Sequence, residues 1–349
     1  MKTLMLKKLF FPLTLLILSL LSQGSAAAER DEPSTFTFYF ENDLFSDTDQ
    51  NYTNGVKLSW VSPDLTGYAE DGRLPEWSLK YIRFLPFINE PGLERNIALS
   101  IGQNMYTPED ISEVELVEDD RPYAGWTYFG IAFHSKNERR LDTIEVQLGI
   151  VGPESFAEET QKLVHELVDA KRPKGWDNQL HNEPGLAMVY ERRFRFLREE
   201  GVTGMGYDAI AHLGATVGNV YTYANTGMEV RLGWNIPTDF GTALIRPAGD
   251  TSATVSARGF GPRKKKRFSL HLYAGVSGRL VLRDIFLDGN TFTDSHSINK
   301  EYFVGDAYAG VSLAFARFKL AYTQVARSKE FEGQDDNHSF GSIALSFFY

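Results

Sequence analysis

Apolar and polar residues alternate with a period of two along much of this chain, the signature of strands that bury one face. The pattern is clear in Thr35-Phe36-Thr37-Phe38-Tyr39-Phe40, in Val56 to Val61, in Thr143 to Ile150 and in Gly227 to Trp234. The last segment closes with Ile343-Ala344-Leu345-Ser346-Phe347-Phe348-Tyr349. About twelve such segments recur, near residues 35–44, 52–62, 95–106, 122–135, 141–151, 185–196, 205–217, 221–235, 267–283, 300–315, 316–328 and 338–349.

An even number of antiparallel strands with aromatic-rich faces predicts an all-β transmembrane barrel. Closure satisfies every backbone group without leaving an edge, which a sheet in lipid requires. A soluble β-sandwich or lipocalin-like domain is the competing architecture. The aromatic load, 25 Phe and 16 Tyr, and the terminal aromatic strand favour the membrane barrel. That terminal strand resembles an outer-membrane assembly signal, which makes the barrel assembly machinery and outer-membrane lipids expected partners.

Residues 1–28 read as a secretory signal: Lys2, Lys7 and Lys8, an apolar run from Leu9 to Leu21, then Ala26-Ala27-Ala28. Residues 29–349 then form one barrel domain, without internal repeats. No later stretch approaches the ~20 apolar residues of a membrane helix. Cysteine is absent, which excludes disulfides and thiolate metal sites, and a net charge of −10 disfavours nucleic acid.

If both chain ends face the periplasm, residues 45–51, 107–121, 152–184, 284–299 and 329–337 connect strands on the outer side. The stretches 63–94 and 236–266 fall on the periplasmic side. The outer stretch 152–184 carries one short amphipathic helix. Ser155 and Glu158 are spaced as a capping box, the helix runs to about Ala170, and Pro173 and Gly175 stop it. Phe156, Leu163, Val164, Leu167 and Val168 offer an apolar side for docking. Gln161 and His165, four apart, share a face.

Parity brings Glu41-Asn42-Asp43 and Tyr52-Thr53-Asn54-Gly55 to the same outer rim as this helix. Ester hydrolysis needs a base within reach of water and donors or a cation for the oxyanion. A histidine with oxygen ligands for a hard cation such as calcium meets both needs. Plain turn chemistry accounts equally well for Asn42-Asp43, and a solvated helix face for His165.

Phe-Glu-Asn-Asp at 40–43, Tyr-Thr-Asn-Gly at 52–55, Asp-Arg-Pro-Tyr-Ala-Gly-Trp at 120–126, Gly-Pro at 152–153, Gln-x-x-x-His at 161–165 and Trp-Asp-Asn-Gln at 176–179 together resemble the outer-membrane lipid A 3′-O-deacylases (LpxR-like). The resemblance spans the mature chain in order. It implies a twelve-stranded barrel with a site between its wall and an extracellular helix, and calcium-dependent removal of the 3′-linked acyloxyacyl group of lipid A. The family's catalytic histidine then matches His165 and its glutamine Gln161. Its Asn-Asp pair matches Asn42 and Asp43, with Asp43 as metal ligand, and its threonine matches Thr53. The family glutamate six residues after the histidine is Lys171 here, so Glu166, Asp169 or Glu183 would have to replace it in the metal shell.

Three other readings compete. One is a non-enzymatic channel or structural barrel, another a barrel phospholipase, the third a serine hydrolase, for which no Gly-x-Ser-x-Gly elbow is present. Arg121 and the Lys171–Lys174 stretch are candidate partners for the phosphates of lipid A or lipopolysaccharide. The basic run Arg263 to Arg267 falls on the periplasmic side and reads as a solvated turn.

Overall fold

The computed structural model describes residues 34–43, 51–65, 90–168, 171–242, 244–249 and 268–349. The expected signal segment, Asp169 and the basic run at 263–267 lie outside the described residues. Twelve antiparallel strands form a closed barrel in which each pairs with its sequence neighbours and β1 pairs with β12. They are β1 (Thr35–Asn42), β2 (Asn51–Val61), β3 (Glu94–Thr107), β4 (Ala124–Lys136), β5 (Arg140–Val151), β6 (Glu183–Glu200), β7 (Met205–Gly218), β8 (Tyr221–Trp234), β9 (Phe268–Asp284), β10 (Phe303–Phe315), β11 (Phe318–Arg327) and β12 (His338–Phe348). The terminal Tyr349 exchanges two backbone hydrogen bonds with Ser34, sealing the β1–β12 seam.

The period read from the sequence is the period of the wall. On β1, Thr35, Thr37, Tyr39 and Glu41 point inward and are buried, while Phe36, Phe38 and Phe40 point outward. Leu272, Val276 and Leu280 of β9 and Leu148 of β5 stand exposed on the same outer surface, as a lipid-facing band requires. Around the periplasmic end, Trp234, Phe268, Phe315 and Phe318 form an aromatic girdle. No described helix is long and apolar enough to cross a membrane; the strands do so.

The interior is polar and filled. Its charges are buried in pairs, because an unpaired ion in this low-dielectric space would be strongly unfavourable. The periplasmic connection after β8 turns back into the bore and supplies many of the partners. The carboxylate of Asp239 pairs with Arg231 and Lys319. The carbonyl of Phe240 accepts from Arg193 at 2.8 Å. The backbone N–H of Ile245 donates to Glu41 at 2.8 Å, and that of Ala248 to Glu145 at 2.7 Å. Arg246 reaches Glu191 at 2.8 Å. The segment is thus tied to strands on opposite sides of the barrel.

An aromatic cluster caps the outer mouth. It is built on the short helix α2 (Ile285–Asp288) that follows β9; in the order of the chain the helix between β5 and β6 is α1 (Ala157–Val168). Tyr106 stacks on Phe286 with centroids 4.1 Å apart, and its hydroxyl meets that of Tyr221 at 2.7 Å. Beside the plug residues Gly241 and Thr242 lies a cavity of about 20 Å³, lined also by His271 and Lys319, room for a water molecule.

Asp239→Ala would leave Arg231 and Lys319 buried without their carboxylate, a loss of about 3–5 kcal/mol for a broken buried pair. The expected result is a lower urea midpoint of the refolded barrel in micelles, followed by tryptophan fluorescence. An unchanged midpoint would show that the plug does not bear on stability.

Candidate functional site on the outer wall

Strand register lays out one line of directly opposed residues across the outer rim. Asn42 of β1 faces Gly341 of β12 on one side and Asn54 of β2 on the other. Asn54 faces Met105 of β3, and Met105 faces Gly125 of β4. Asn42 has the parity of Phe36, Phe38 and Phe40, so this row belongs to the outer surface of the barrel and not to its lumen. Asn42, Asn54 and Met105 are nevertheless buried.

Thr53 is the extra residue of a β-bulge between Tyr52 and Asn54. Bulges turn the strand locally and re-aim neighbouring side chains, often beside active sites. The side chain of Thr53 lies outside the described residues. Asp43, one step above the row, is fully buried.

Helix α1 covers part of this surface, packing on β4 and β3. The chain leaves β5 through Gly152, at φ 96°, and a 3₁₀ turn over Pro153–Ser155. Phe156 then adopts the left-handed conformation at φ 59° before the helix begins. Ala157 seats on Gly125 so closely that a Cβ there would lie 2.2 Å from the Ala157 Cβ and 2.2 Å from the Ser155 Oγ. Ala157, Gln161 and His165, spaced i, i+4 and i+8, form the buried stripe of the helix.

Two expectations about this helix are corrected. Ser155 does not cap it: the residue sits one position too early, and its Oγ is packed against Gly125 without a hydrogen-bond partner. That Oγ has no base beside it and so gives no support to a serine nucleophile. Leu163, expected on the docking side, is 57% exposed, while Phe156 and Val164 are half-buried. The wall beneath offers Gly125, so the stripe that starts at the small Ala157 packs inward. The side chains of Leu167 and Val168 lie outside the described residues.

The buried stripe has defined hydrogen-bond chemistry. The indole N–H of Trp176 donates to Gln161 Oε1 at 2.7 Å. An indole can only donate, so the amide of Gln161 is oriented with its oxygen toward Trp176. Its Nε2 is buried with no hydrogen-bond partner. His165 Nδ1 lies 2.6 Å from the carbonyl oxygen of Lys171. A carbonyl can only accept, so Nδ1 carries the proton and the neutral ring keeps its lone pair on Nε2.

The segment after α1 that supplies these partners is itself pinned. Lys174 N–H donates to Ile111 at 2.9 Å and Leu180 N–H to Tyr123 at 3.0 Å. Trp176 packs on Tyr123 with ring centroids 5.0 Å apart. Met105, Ile111, Tyr123, Ala157 and Trp176 form one apolar cluster on the outside of the wall.

Several candidate residues turn out to be engaged elsewhere. Arg121 is buried, pairs with Glu330 at 3.3 Å and lies over the ring of Tyr106, so it presents no guanidinium to a phosphate. Lys171 is exposed and pairs with Asp110 at 3.6 Å, whose carboxyl is held below its usual range by the Ser112 hydroxyl and then by this lysine. Glu166 is exposed and pairs with Arg172. Glu183 is bound by Asn219, Asn290 and Thr291. Both glutamates thus have protein partners of their own.

A hard cation here would rely on oxygen donors of mixed kind. Among the described residues no group of three or more His, Cys, Asp or Glu gathers as a metal cluster. The buried carboxylate of Asp43, the amide of Asn42 and the amide of Asn54 are all hard oxygen donors, and Asn54 Oδ1 is buried without a hydrogen-bond partner. This set fits a calcium-sized ion that completes its shell with carbonyls, water or substrate.

The sequence reading placed Asn54 on the outer rim, quoted Gly125 and Trp176 only within motifs, without a role, and did not single out Met105. Their signal is parity: Asn54, Met105 and Gly125 stand on the lipid-facing side of their strands, where a polar or minimal side chain implies a cover.

The solved structure of LpxR from Salmonella typhimurium superposes with a TM-score of 0.72 at 17% identity, covering 90% of this chain and 100% of that one. The β-domain of the Bordetella autotransporter BrkA reaches a TM-score of only 0.42 at 10% identity, covering 92% and 99%. No curated protein matches by sequence. The family model described as outer membrane protein LpxR matches residues 10–349, and this protein therefore belongs to the LpxR family of outer-membrane barrels.

Proposed function

We propose that this protein is an outer-membrane lipid A deacylase that hydrolyses the 3′-linked acyloxyacyl ester, with His165 as the base. The observation that carries the reading is the paired fixing of Gln161 by Trp176 and of His165 by the Lys171 carbonyl. Together they direct the second ring nitrogen of His165 and the amide N–H of Gln161, which has no hydrogen-bond partner, from one buried helical face. Family membership and the outer-rim position of that face point to an outer-leaflet lipid.

In this mechanism His165 Nε2 takes a proton from water, and the resulting hydroxide attacks the acyl carbonyl. Gln161 Nε2–H is the protein donor available to the oxyanion that forms. As the tetrahedral intermediate collapses, the C–O bond to the sugar breaks. His165 returns its proton to the departing 3′-oxygen, so ester and water become acid and alcohol. A calcium ion held by Asp43 with Asn42, Asn54 and the Thr53 strand would supply direct charge to the same oxyanion.

The dimensions of the outer wall fit this assembly. From β1 to β4 is three strand spacings, roughly 14 Å. Ala157 to His165 along a helix is roughly 12 Å. A helix seated on Gly125 at its start is long enough to carry His165 toward Asn42 and Asp43. Below the row, Phe36, Phe38 and Phe40 of β1 and Val56, Leu58 and Trp60 of β2 continue as an apolar wall suited to acyl chains. A channel is disfavoured by the plug and the aromatic cap that fill the bore.

The first test is incubation of the refolded protein with lipid A, or with phospholipid, in calcium or chelator, with products followed by mass spectrometry. Calcium-dependent loss of the 3′ acyloxyacyl unit is expected; release of phospholipid acyl chains alone would favour a phospholipase. His165→Ala should lower kcat by about 10²–10⁴-fold with the barrel still folded, the usual contribution of a positioned base. Trp176→Phe keeps the packing and removes the donor to Gln161, which should lower kcat by up to about tenfold, the worth of one hydrogen bond. Gly125→Ala should cut activity by displacing α1, read against unchanged heat-modifiable migration; full activity would show that the helix need not touch the wall.

A further inference from the structure

Gln103 of β3 and Thr127 of β4 are directly opposed residues one step below the polar row, on the lipid-facing side. Their neighbours of the same parity are Ile101 and Leu99 on β3 and Phe129 and Ile131 on β4. Polar side chains at such positions are unfavourable unless something satisfies them. Here they satisfy each other and a third group. Gln103 Nε2 donates to Thr127 Oγ1 at 3.1 Å and to the carbonyl oxygen of Ser155 at 2.7 Å. Thr127 Oγ1 donates to the same carbonyl at 2.7 Å. The two N–H bonds of one amide and the single proton of one hydroxyl are all used.

We infer that Gln103 and Thr127 are positioning residues that clamp the Ser155 carbonyl to the barrel wall and thereby set the tilt of α1 and the placement of His165. This rests on the deacylase reading only for its kinetic consequence; the clamp itself is geometric. Ser155 lies immediately before the left-handed Phe156, a conformation uncommon for a bulky residue that persists only where its surroundings hold it. The clamp and the seat of Ala157 on Gly125 are the restraints on either side of it.

The lever is long relative to the tolerance. His165 is roughly 12 Å along the helix from Ala157, so a tilt of about 5° at the clamp moves it by roughly 1 Å. A misplacement of that size can cost about 10²-fold in rate. The clamp touches no reacting atom, so its loss should fall on kcat and leave KM nearly unchanged.

The test compares wild type, Gln103→Leu, Thr127→Val and Thr127→Ser as refolded full chains in detergent with lipid A and calcium. Hydrogen exchange of the 157–168 amides is measured in parallel. Gln103→Leu and Thr127→Val should lose about 10–100-fold in kcat with KM within roughly threefold, and α1 should exchange faster. Thr127→Ser, which keeps the hydroxyl, should restore both readouts toward wild type. Wild-type kcat in Thr127→Val, or an equal loss in Thr127→Ser, would overturn the assignment. If the wild type leaves lipid A intact, the deacylase reading fails on its own. The clamp is then judged by exchange: unchanged protection of α1 in Thr127→Val overturns it, and faster exchange reversed in Thr127→Ser supports it.

Discussion

A sheet placed in lipid has to close on itself, because no water is available to an open edge, and everything distinctive about this protein follows from that closure. It commits alternate side chains to lipid and to lumen along all twelve strands. An outward position that is polar or minimal is then an anomaly that requires a cover. Such positions gather on four adjacent strands: Asn42, Asn54, Gln103, Gly125 and Thr127. Helix α1 is the cover for those on β3 and β4. The candidate site is thereby built on the outside of the wall, on the surface that the proposed outer-leaflet lipid would meet laterally.

Closure has a second consequence inside. A twelve-stranded ring leaves a bore too wide for side chains of the wall alone to fill, and the lumen-facing residues here are charged. The periplasmic segment after β8 resolves this by entering the bore and pairing with Arg231, Lys319, Glu191, Glu145 and Glu41. Outer-membrane barrels turn back tightly on the periplasmic side, and residues 236–242 and 244–249 depart from that because they are interior structure. The wall is stiffened from within, which gives α1 a rigid surface to be clamped against.

The barrel was legible in the sequence because period two is imposed by geometry residue by residue, and the parity argument carried the outer placement of α1 with it. Leu163 of α1 was read as docking and is exposed, while Ala157, Gln161 and His165 are buried. Amphipathic reasoning assumes an apolar surface beneath a helix, and here the seat of its first turn is Gly125. The fate of Arg121 was illegible for a different reason: its partners Glu330 and Tyr106 are 209 and 15 residues away, brought together only by closure. Ser155 and Glu158 matched a capping pattern that the left-handed Phe156 displaces by one residue, a local geometry that spacing cannot reveal. The pairing of Trp176 with Gln161 across 15 residues was likewise out of reach.

The lysine at 171 shows how backbone and side chain can carry separate constraints at one position. What His165 takes from this residue is its carbonyl, which every amino acid supplies, so the tautomer of the histidine is indifferent to the side chain there. The side chain itself turns out to solvent beside Asp110. In the proposed calcium site, lysine in place of the glutamate that the family resemblance implies leaves the Nδ1 contact of His165 untouched and takes one carboxylate from the donor set. The remaining donors, one buried carboxylate beside neutral amides, hold less negative charge than a multi-carboxylate cage. Affinity for calcium falls as ligand charge falls, so this chain should need a higher calcium concentration than a relative carrying glutamate there, while its histidine chemistry stays the same.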